Sequence, residues 1–459
     1  MIVDELRRIV GADFVKTDVD SRRDYGVDAL KRGALADVVV LPATASEIAA
    51  IARLCNTTRT PLVPRGGGTG FTGGSVPVHG GIVLSLERLN RILEIDEDNL
   101  LAIVEPNVIT GDLQDAVERV GLFYPPDPSS LRQSALGGNV AECAGGPRAF
   151  KYGVTRHYVL GLEAVLPTGE VIQTGGKVVK NVVGYDLTQL LVGSEGTLAI
   201  LTKIILRLIP KPAAAATLRA TFTSIERAVE AVSALIRARV VPSTLELIDR
   251  DSLEAVARAL DVRTLAPEGT EAVLILEVDG LPEQVAAEAD RVAAACMSAG
   301  ATEVLRATGD AERQRLWEVR REISRSLMVI ASLKLNHDVV VPRARIPALY
   351  ELVARLKREF QLPIPSFGHA GDGNIHVNIM VPADDPDAVR RGHLAEEALF
   401  RGVVALEGSI SGEHGIGFAK AQFLGLELSA DTIALMKRIK RAFDPNGILN
   451  PGKIFPPEL

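Results

Sequence analysis

Pro64-Arg65-Gly66-Gly67-Gly68-Thr69-Gly70-Phe71-Thr72-Gly73 decides between two architectures. Its last six residues satisfy G-x-G-x-x-G, the fingerprint of a nicotinamide-dinucleotide fold when it opens a helix. Here Gly74-Ser75-Val76-Pro77-Val78-His79-Gly80-Gly81 follows, and a proline between glycine pairs cannot propagate a helix. No phosphate-loop lysine follows either. The segment reads instead as a concave backbone nest with its N–H groups turned toward a phosphate, because glycine reaches positive φ without steric cost. A dinucleotide pyrophosphate fits such a nest; a glycine-rich surface turn is the plainer alternative.

Working outward, short Val/Ile/Leu runs at 37–41, 61–64, 81–86, 101–104 and 162–166 alternate with helical stretches, and Gly or Pro punctuates each junction. A second cluster, Ala135-Leu136-Gly137-Gly138-Asn139 through Gly145-Gly146-Pro147, is poor in bulky side chains, so a backbone or a flat ring system can approach it closely. The rigid Pro125-Pro126-Asp127-Pro128 lies just upstream, and Gly193-Ser194-Glu195-Gly196 adds a third set of small residues before Ile200. Three such stretches in one region imply a large, extended ligand. The proline- and alanine-rich 210–216 reads as a linker. Beyond it, β-like runs at 217–223 and 272–278 alternate with amphipathic helices near 225–238, 282–299 and 310–331, a second α+β domain. A further helix over 430–443 stops at Asp444-Pro445-Asn446-Gly447, and 449–453 reads as an ordered tail.

Two histidine-bearing segments lie late in the chain: Gly368-His369-Ala370-Gly371-Asp372-Gly373-Asn374-Ile375-His376-Val377-Asn378 and Ser411-Gly412-Glu413-His414-Gly415. A two-residue hairpin turn at Asp372-Gly373 would set His369 directly opposite His376, with Cβ atoms about 5 Å apart. Two imidazoles at that spacing, with Glu413 as an oxygen ligand, can share one divalent ion and leave a position open for substrate. His414 would then stand beside the substrate as a base. Imidazole plus carboxylate suits zinc first, with manganese and iron as alternatives. His79, His157, His337 and His393 read as ordinary surface or core residues.

At 459 residues, two or more domains are expected. A net charge of -7 with scattered lysines and arginines leaves no electrostatic footprint for nucleic acid. The three cysteines, Cys55, Cys143 and Cys296, form no C-x-x-C pair and fit a reducing compartment. The N-terminal residues lack a signal-peptide pattern and no apolar run is long enough to span a bilayer, so a soluble, unprocessed, cytoplasmic protein is expected.

In these segments and their order the chain resembles the FAD-binding domain of the vanillyl-alcohol oxidase and p-cresol methylhydroxylase (PCMH) superfamily, and within it the FAD-linked D-2-hydroxyacid dehydrogenases. The likeness runs over nearly the whole chain and is strongest, from Gly153 to Leu198, to the FAD-linked subunit of glycolate oxidase. The resemblance implies an α+β, two-domain PCMH-type fold: an FAD domain over 1–213, a substrate (cap) domain with the metal site over 214–415, and a C-terminal helical segment over 416–459 returning to the FAD domain. It implies FAD contacts at Pro64, Arg65, Gly66, Gly67, Gly68, Thr69, Gly70, Pro126, Asp127, Gly137, Gly138, Asn139, Gly145, Gly146, Glu195, Gly196, Ile200 and Asn450. Thr69 stands where covalently flavinylated members carry histidine, so non-covalent FAD is expected.

The implied metal ligands are His369, His376 and Glu413, with His414 catalytic; Arg320 would clamp the substrate carboxylate bidentately, with Ser324 and Asn378 nearby. The implied reaction is oxidation of a small D-2-hydroxyacid, glycolate or D-lactate, with hydride passing to the flavin. D-2-hydroxyglutarate oxidation, or an FAD-holding subunit without activity of its own, are the alternatives. Related diacid enzymes carry a lysine in the strand that reads Lys334-Leu335-Asn336-His337-Asp338 here, and Asn336 in its place argues for a monocarboxylate. With no iron–sulfur cysteine set in the chain, a partner acceptor is implied: an iron–sulfur subunit, an electron-transfer flavoprotein, a quinone or a cytochrome. The expected assembly is a homodimer or hetero-oligomer, peripheral to the inner membrane through its partner.

Overall fold

The computed structural model describes residues 2–261 and 266–456. It mixes helices and strands throughout, and its contacts divide into two compact units: Met1–Gly145 with Val154–Lys211 and Glu413–Leu459, and Gly146–Gly153 with Pro212–Gly412.

In the first unit a four-stranded sheet runs in the order Val15–Lys16, Val38–Val40, Ile82–Ser85, Leu62–Arg65, with its last three strands parallel. Val38–Val40 and Ile82–Ser85 are buried along their whole length, as parallel strands covered on both faces require. The helix Ala45–Thr58, capped by the Thr44 hydroxyl on the Glu47 N–H, packs Ile48, Ile51 and Ala52 into the same core as Val38, Leu62, Ile82 and Leu84. A five-stranded antiparallel sheet completes the unit, in the order Ile92–Asp96, Leu101–Val104, Ile200–Arg207, Val159–Val165, Val171–Gly175. The late segment 449–450 adds to the edge of the first sheet: Leu62 and Leu449 form a parallel bridge, and the Asn450 N–H donates to the Leu62 carbonyl at 2.8 Å.

The second unit is built on a seven-stranded antiparallel sheet in the order Glu303–Arg306, Ala214–Phe222, Ala272–Gly280, Thr244–Asp249, Ser366–His369, Asn374–Val381, Leu333–Val340. The run read as a linker at 210–216 is in part sheet: Ala214, Ala215 and Ala216 pair with Gly280, Asp279 and Val278. Small side chains suggested a flexible connector, but a partner strand some sixty residues away pairs with the alanines. The short helix Ala149–Tyr152 belongs to this unit, fastened by Lys151 Nζ and the Tyr152 hydroxyl on the two carboxylate oxygens of Asp279, at 2.5 and 2.9 Å.

Strand alternation sorts the two faces of this sheet. Leu335, His337, Val377, Ile379 and Val381 point one way, where the helix Pro386–Ala405 covers them; its Gly392 has no room for a Cβ beside Val381 and Leu335, and Phe400 meets the His337 ring edge-on at 5.0 Å. The opposite face carries Glu246, His369, His376, Asn378 and Lys334, and lies under the helices Arg250–Ala259 and Asp310–Ser326 through Ile248, Phe367, Met380, Leu253, Val256 and Ile323. Alternation of this kind normally turns polar residues to water, yet every residue of Asn374–Val381 is buried. That buried polar face holds the candidate site.

Candidate active site

The hairpin comes first. Its connection is four residues, Ala370 to Gly373, not two: the Asp372 and Gly373 N–H groups both turn back onto the His369 carbonyl, at 3.3 and 3.1 Å. Gly373 has φ +89°, and any Cβ there would run into the Val341 carbonyl oxygen, so only glycine closes this turn. His369 therefore pairs with Asn374, and His376 with Phe367. The expected direct opposition of the two histidines is corrected by a shift of two residues. An even shift preserves the face, so the rings still meet, diagonally, with centroids 5.3 Å apart and planes at 83°.

Next to this pair, Asp338 on the neighbouring strand lies directly opposite His376. Its carboxylate accepts the Gly412 N–H at 2.9 Å, which sets the loop ending in Glu413. His369, His376 and Glu413 can each offer one ligand atom, and the three atoms lie within 4.8 Å of one another. That donor set, two imidazoles and one carboxylate, fits a catalytic divalent site.

Glu246 was not anticipated. It is directly opposite His369 on the adjoining strand, fully buried, and its Oε1 lies 2.5 Å from His369 Nδ1 while Oε2 accepts from Arg320 Nε. Burial alone would push its carboxyl up, but the Arg320 guanidinium and His369 outweigh that and hold it at about 2, ionised at any physiological pH. With Nδ1 engaged by Glu246, Nε2 is the ring nitrogen that would ligate a metal. The available signal was a glutamate in the middle of the apolar run Thr244-Leu-Glu-Leu-Ile-Asp249; its meaning depends on partners distant in the chain.

Arg320, on the helix Asp310–Ser326, stacks over the Phe367 ring at 4.8 Å, and Phe367 in turn packs on His376 at 5.2 Å. It is 4% exposed, yet its Nη2 finds no hydrogen-bond partner among the described residues. Asn378, two residues beyond His376 on the same face, donates Nδ2 to the His376 carbonyl at 3.1 Å and likewise leaves its buried Oδ1 without a partner there. Unmet polar atoms in a closed interior are costly unless a ligand meets them. The Ser324 hydroxyl is engaged by Lys334 Nζ at 2.7 Å.

In the first unit, residues 66–81 form the expected irregular loop, and no helix intervenes before the Ile82–Ser85 strand. Arg65 folds beneath this loop: its guanidinium donates to the Val27 carbonyl at 2.7 Å and would collide with any Cβ on Gly68, which has φ +65°. Gly66 and Gly67 press on Ala135 and the Gln133 carbonyl, next to the helix Leu136–Glu142 that carries Gly137, Gly138 and Asn139. Gly137 is packed on Pro106, whereas a Cβ on Gly138 would meet nothing within 4 Å. Asn139 is tied to the Thr110 hydroxyl at 2.7 Å, and the Pro126 carbonyl to Gln114 at 2.9 Å. A side-chain-free, N–H-rich surface of this kind fits a dinucleotide pyrophosphate.

The Glu195 carboxylate is spent on the backbone, accepting the Ile416 and Gly417 N–H groups at 2.8 and 2.6 Å; burial pushes its pKa up. Asn450 Nδ2 bridges the Gly74 and Glu195 carbonyls at 2.8 and 2.9 Å. Ile200 is buried and opens its strand opposite Val165. His414 is held against the glycine-rich loop: Thr72 Oγ1 donates to its carbonyl at 3.0 Å, and the Phe71 ring lies 5.1 Å from its imidazole. The expected site residues therefore fall into one group at the buried sheet face of the second unit and another around the glycine loop of the first.

Comparison with known families decides the lineage. Residues 36–175 match the family described as FAD binding domain, and residues 211–454 match FAD linked oxidases, C-terminal domain. The chain belongs to the FAD-linked oxidase family. Among curated relatives of this family, the glycolate oxidase subunit GlcD of Bacillus subtilis (strain 168) is 41% identical over 99% of this chain and 96% of its own length. The D-lactate dehydrogenase of Archaeoglobus fulgidus is 39% identical over 98% of both chains, and the D-2-hydroxyglutarate dehydrogenase of Stutzerimonas stutzeri 32% over 99% and 98%.

Crystalline p-cresol methylhydroxylase with substrate bound shares the fold, with a TM-score of 0.82, 18% identity, and coverage of 99% of this chain and 96% of that one. This FAD-linked oxidase is thus an FAD-dependent oxidoreductase of PCMH-type fold. Among its described residues no helix is long and apolar enough to cross a membrane.

Proposed function

We propose that this FAD-linked oxidase converts a small D-2-hydroxyacid, glycolate or D-lactate, to the 2-oxoacid. One observation carries the reading: a buried arginine with an unmet guanidinium nitrogen is joined, through Glu246, to His369 of a two-histidine, one-carboxylate donor set. A substrate with a carboxylate next to an oxygen-bearing carbon answers both features at once. With Nε taken by Glu246, Arg320 Nη2 donates a charge-assisted hydrogen bond to one carboxylate oxygen, in place of the expected bidentate clamp. Asn378 and Phe367, both buried, help exclude water from that face.

His369, His376 and Glu413 would hold a divalent ion, zinc first and manganese or iron otherwise, which lowers the pKa of a bound hydroxyl as a Lewis acid. His414 takes the hydroxyl proton. Non-covalent FAD, held by the glycine loop, supplies the two-electron acceptor when bound. The electrons leave to a partner: an iron–sulfur subunit, an electron-transfer flavoprotein, a quinone or a cytochrome. The word subunit in the name of the Bacillus relative supports an acceptor on another chain.

A second reading has a specific observation behind it. Lys334, on the same sheet face as His376 and Asn378, is held by the Ser324 hydroxyl and carbonyl at 2.7 and 2.8 Å. A second cation there suits a second carboxylate, and so D-2-hydroxyglutarate. The deciding experiment mixes the FAD-loaded protein anaerobically with D-lactate, L-lactate, glycolate and D-2-hydroxyglutarate and follows the flavin absorption band, with and without a chelator. Chelator-sensitive bleaching by a D-monocarboxylate or glycolate supports the first reading, and bleaching by hydroxyglutarate alone the second. No bleaching by any acid removes both.

A further inference from the structure

We infer that Glu246 is a positioning residue that couples the metal half of the site to the carboxylate-binding half. The inference rests on the proposed function for the identity of the two halves, and on the geometry of Glu246 for the coupling.

Glu246 is in the middle of its strand, in register with His369, and so its side chain rises from the sheet beside the imidazole. Its two oxygens are divided: Oε1 takes the His369 Nδ1 hydrogen at 2.5 Å, and Oε2 takes Arg320 Nε. The first contact fixes the His369 tautomer and ring angle so that Nε2 is the nitrogen left for a metal, an arrangement that also raises the basicity of the imidazole. The second contact uses the inner edge of the guanidinium. It leaves Nη2, the nitrogen with no partner among the described residues, for an incoming carboxylate. One carboxylate thereby sets the distance between a metal ligand and an anion clamp that are 49 positions apart in the chain, and a substrate spanning both meets a spacing fixed before it arrives.

The environment makes the coupling exclusive. Glu246 is fully buried and Arg320 nearly so, with the Arg320 guanidinium stacked on Phe367, which itself touches His376. Neither group has water to fall back on, so weakening one contact disturbs the other. A glutamine at 246 keeps the shape and an oxygen for His369 while withdrawing the charge and turning an N–H toward Arg320. A glutamate that served folding alone would leave metal affinity untouched once the protein is folded.

The test measures zinc affinity of the FAD-loaded protein, stripped and retitrated against a chromophoric chelator, in the wild type, Glu246→Gln, Glu246→Asp and His369→Ala, alongside KM for the acid that bleaches the flavin. Expected for Glu246→Gln are an unchanged flavin spectrum, zinc binding weakened about 10- to 100-fold, and a KM raised by a similar factor. Glu246→Asp should recover part of the zinc affinity, and His369→Ala should lose it altogether. Equal zinc affinity in the wild type and a folded Glu246→Gln overturns the inference. Should Glu246→Gln fail to fold, the Asp variant decides: wild-type zinc affinity in folded Glu246→Asp, despite a carboxylate one methylene shorter, also overturns it. Zinc bound by the wild type and weakened in Glu246→Gln, with no hydroxyacid oxidised, would instead sink the proposed function and leave the positioning role in place.

Discussion

His369 and His376 lie on adjacent strands as a diagonal pair, 5.3 Å between ring centroids, because the turn joining them holds four residues. Perpendicular rings at that spacing present their nitrogens to a common point without competing for the same volume, which suits two ligands of one ion better than a stacked pair.

The turn itself is testable. Gly373→Ala forces a side chain into a left-handed conformation and against the Val341 carbonyl. A loss of about 2 kcal/mol or more in stability is expected, together with reduced zinc content, read by thermal melting and metal analysis. Normal zinc content would show that the turn does not set the pair.

Replacing the base and replacing a ligand should fail differently. His414→Ala is expected to retain FAD and zinc while turnover falls by about 10²- to 10⁴-fold. His369→Ala should lose zinc and turnover together. Full activity in either variant would end the assignment of that residue.

Metal removal separates the two cofactor sites. Dialysis against a strong chelator should abolish hydroxyacid-dependent bleaching yet leave the flavin spectrum intact, and added zinc should restore the reaction. Activity that survives complete zinc, manganese and iron depletion would rule out a metal role.

Asp28 offers a pH test in the first unit. It is 7% exposed with one oxygen unpartnered among the described residues, and burial pushes its pKa up to about 6 despite the Leu30 N–H and the Arg65 charge. A raised folded pKa means that its contribution to stability is present below about pH 4 and lost as pH rises through 6. Ionising it in the folded protein costs about 3 kcal/mol more than in the unfolded chain. Asp28→Asn never ionises, so it should melt higher than the wild type at pH 8 and by a smaller margin at pH 5. A margin independent of pH would contradict this.

Local pattern carried much of the fold into the sequence. The glycine loop betrayed its class because Pro77 and the glycine pairs around it deny a helix, and Asp372-Gly373 marked a hairpin that brings the segments of His369 and His376 together. What stayed hidden was non-local. Ala214–Ala216 looked like a linker because nothing nearby reveals that Val278–Gly280 will pair with it. The hairpin register was off by two because Gly373 and Asp372 both bond back to His369, a choice fixed by the tight fit against Val341. Glu246 was illegible for the same reason, since its partners His369 and Arg320 are 123 and 74 residues away.

The bridge between Leu62 and Leu449 joins the strand that leads into the glycine loop to a segment far downstream in the chain. A ribosome still holding residue 449 leaves that strand with a bare edge, and Asn450 has yet to tie Gly74 to Glu195. The glycine loop therefore reaches its final set of bonds only after residues 449 and 450 have joined the sheet, although it precedes them by nearly 380 positions.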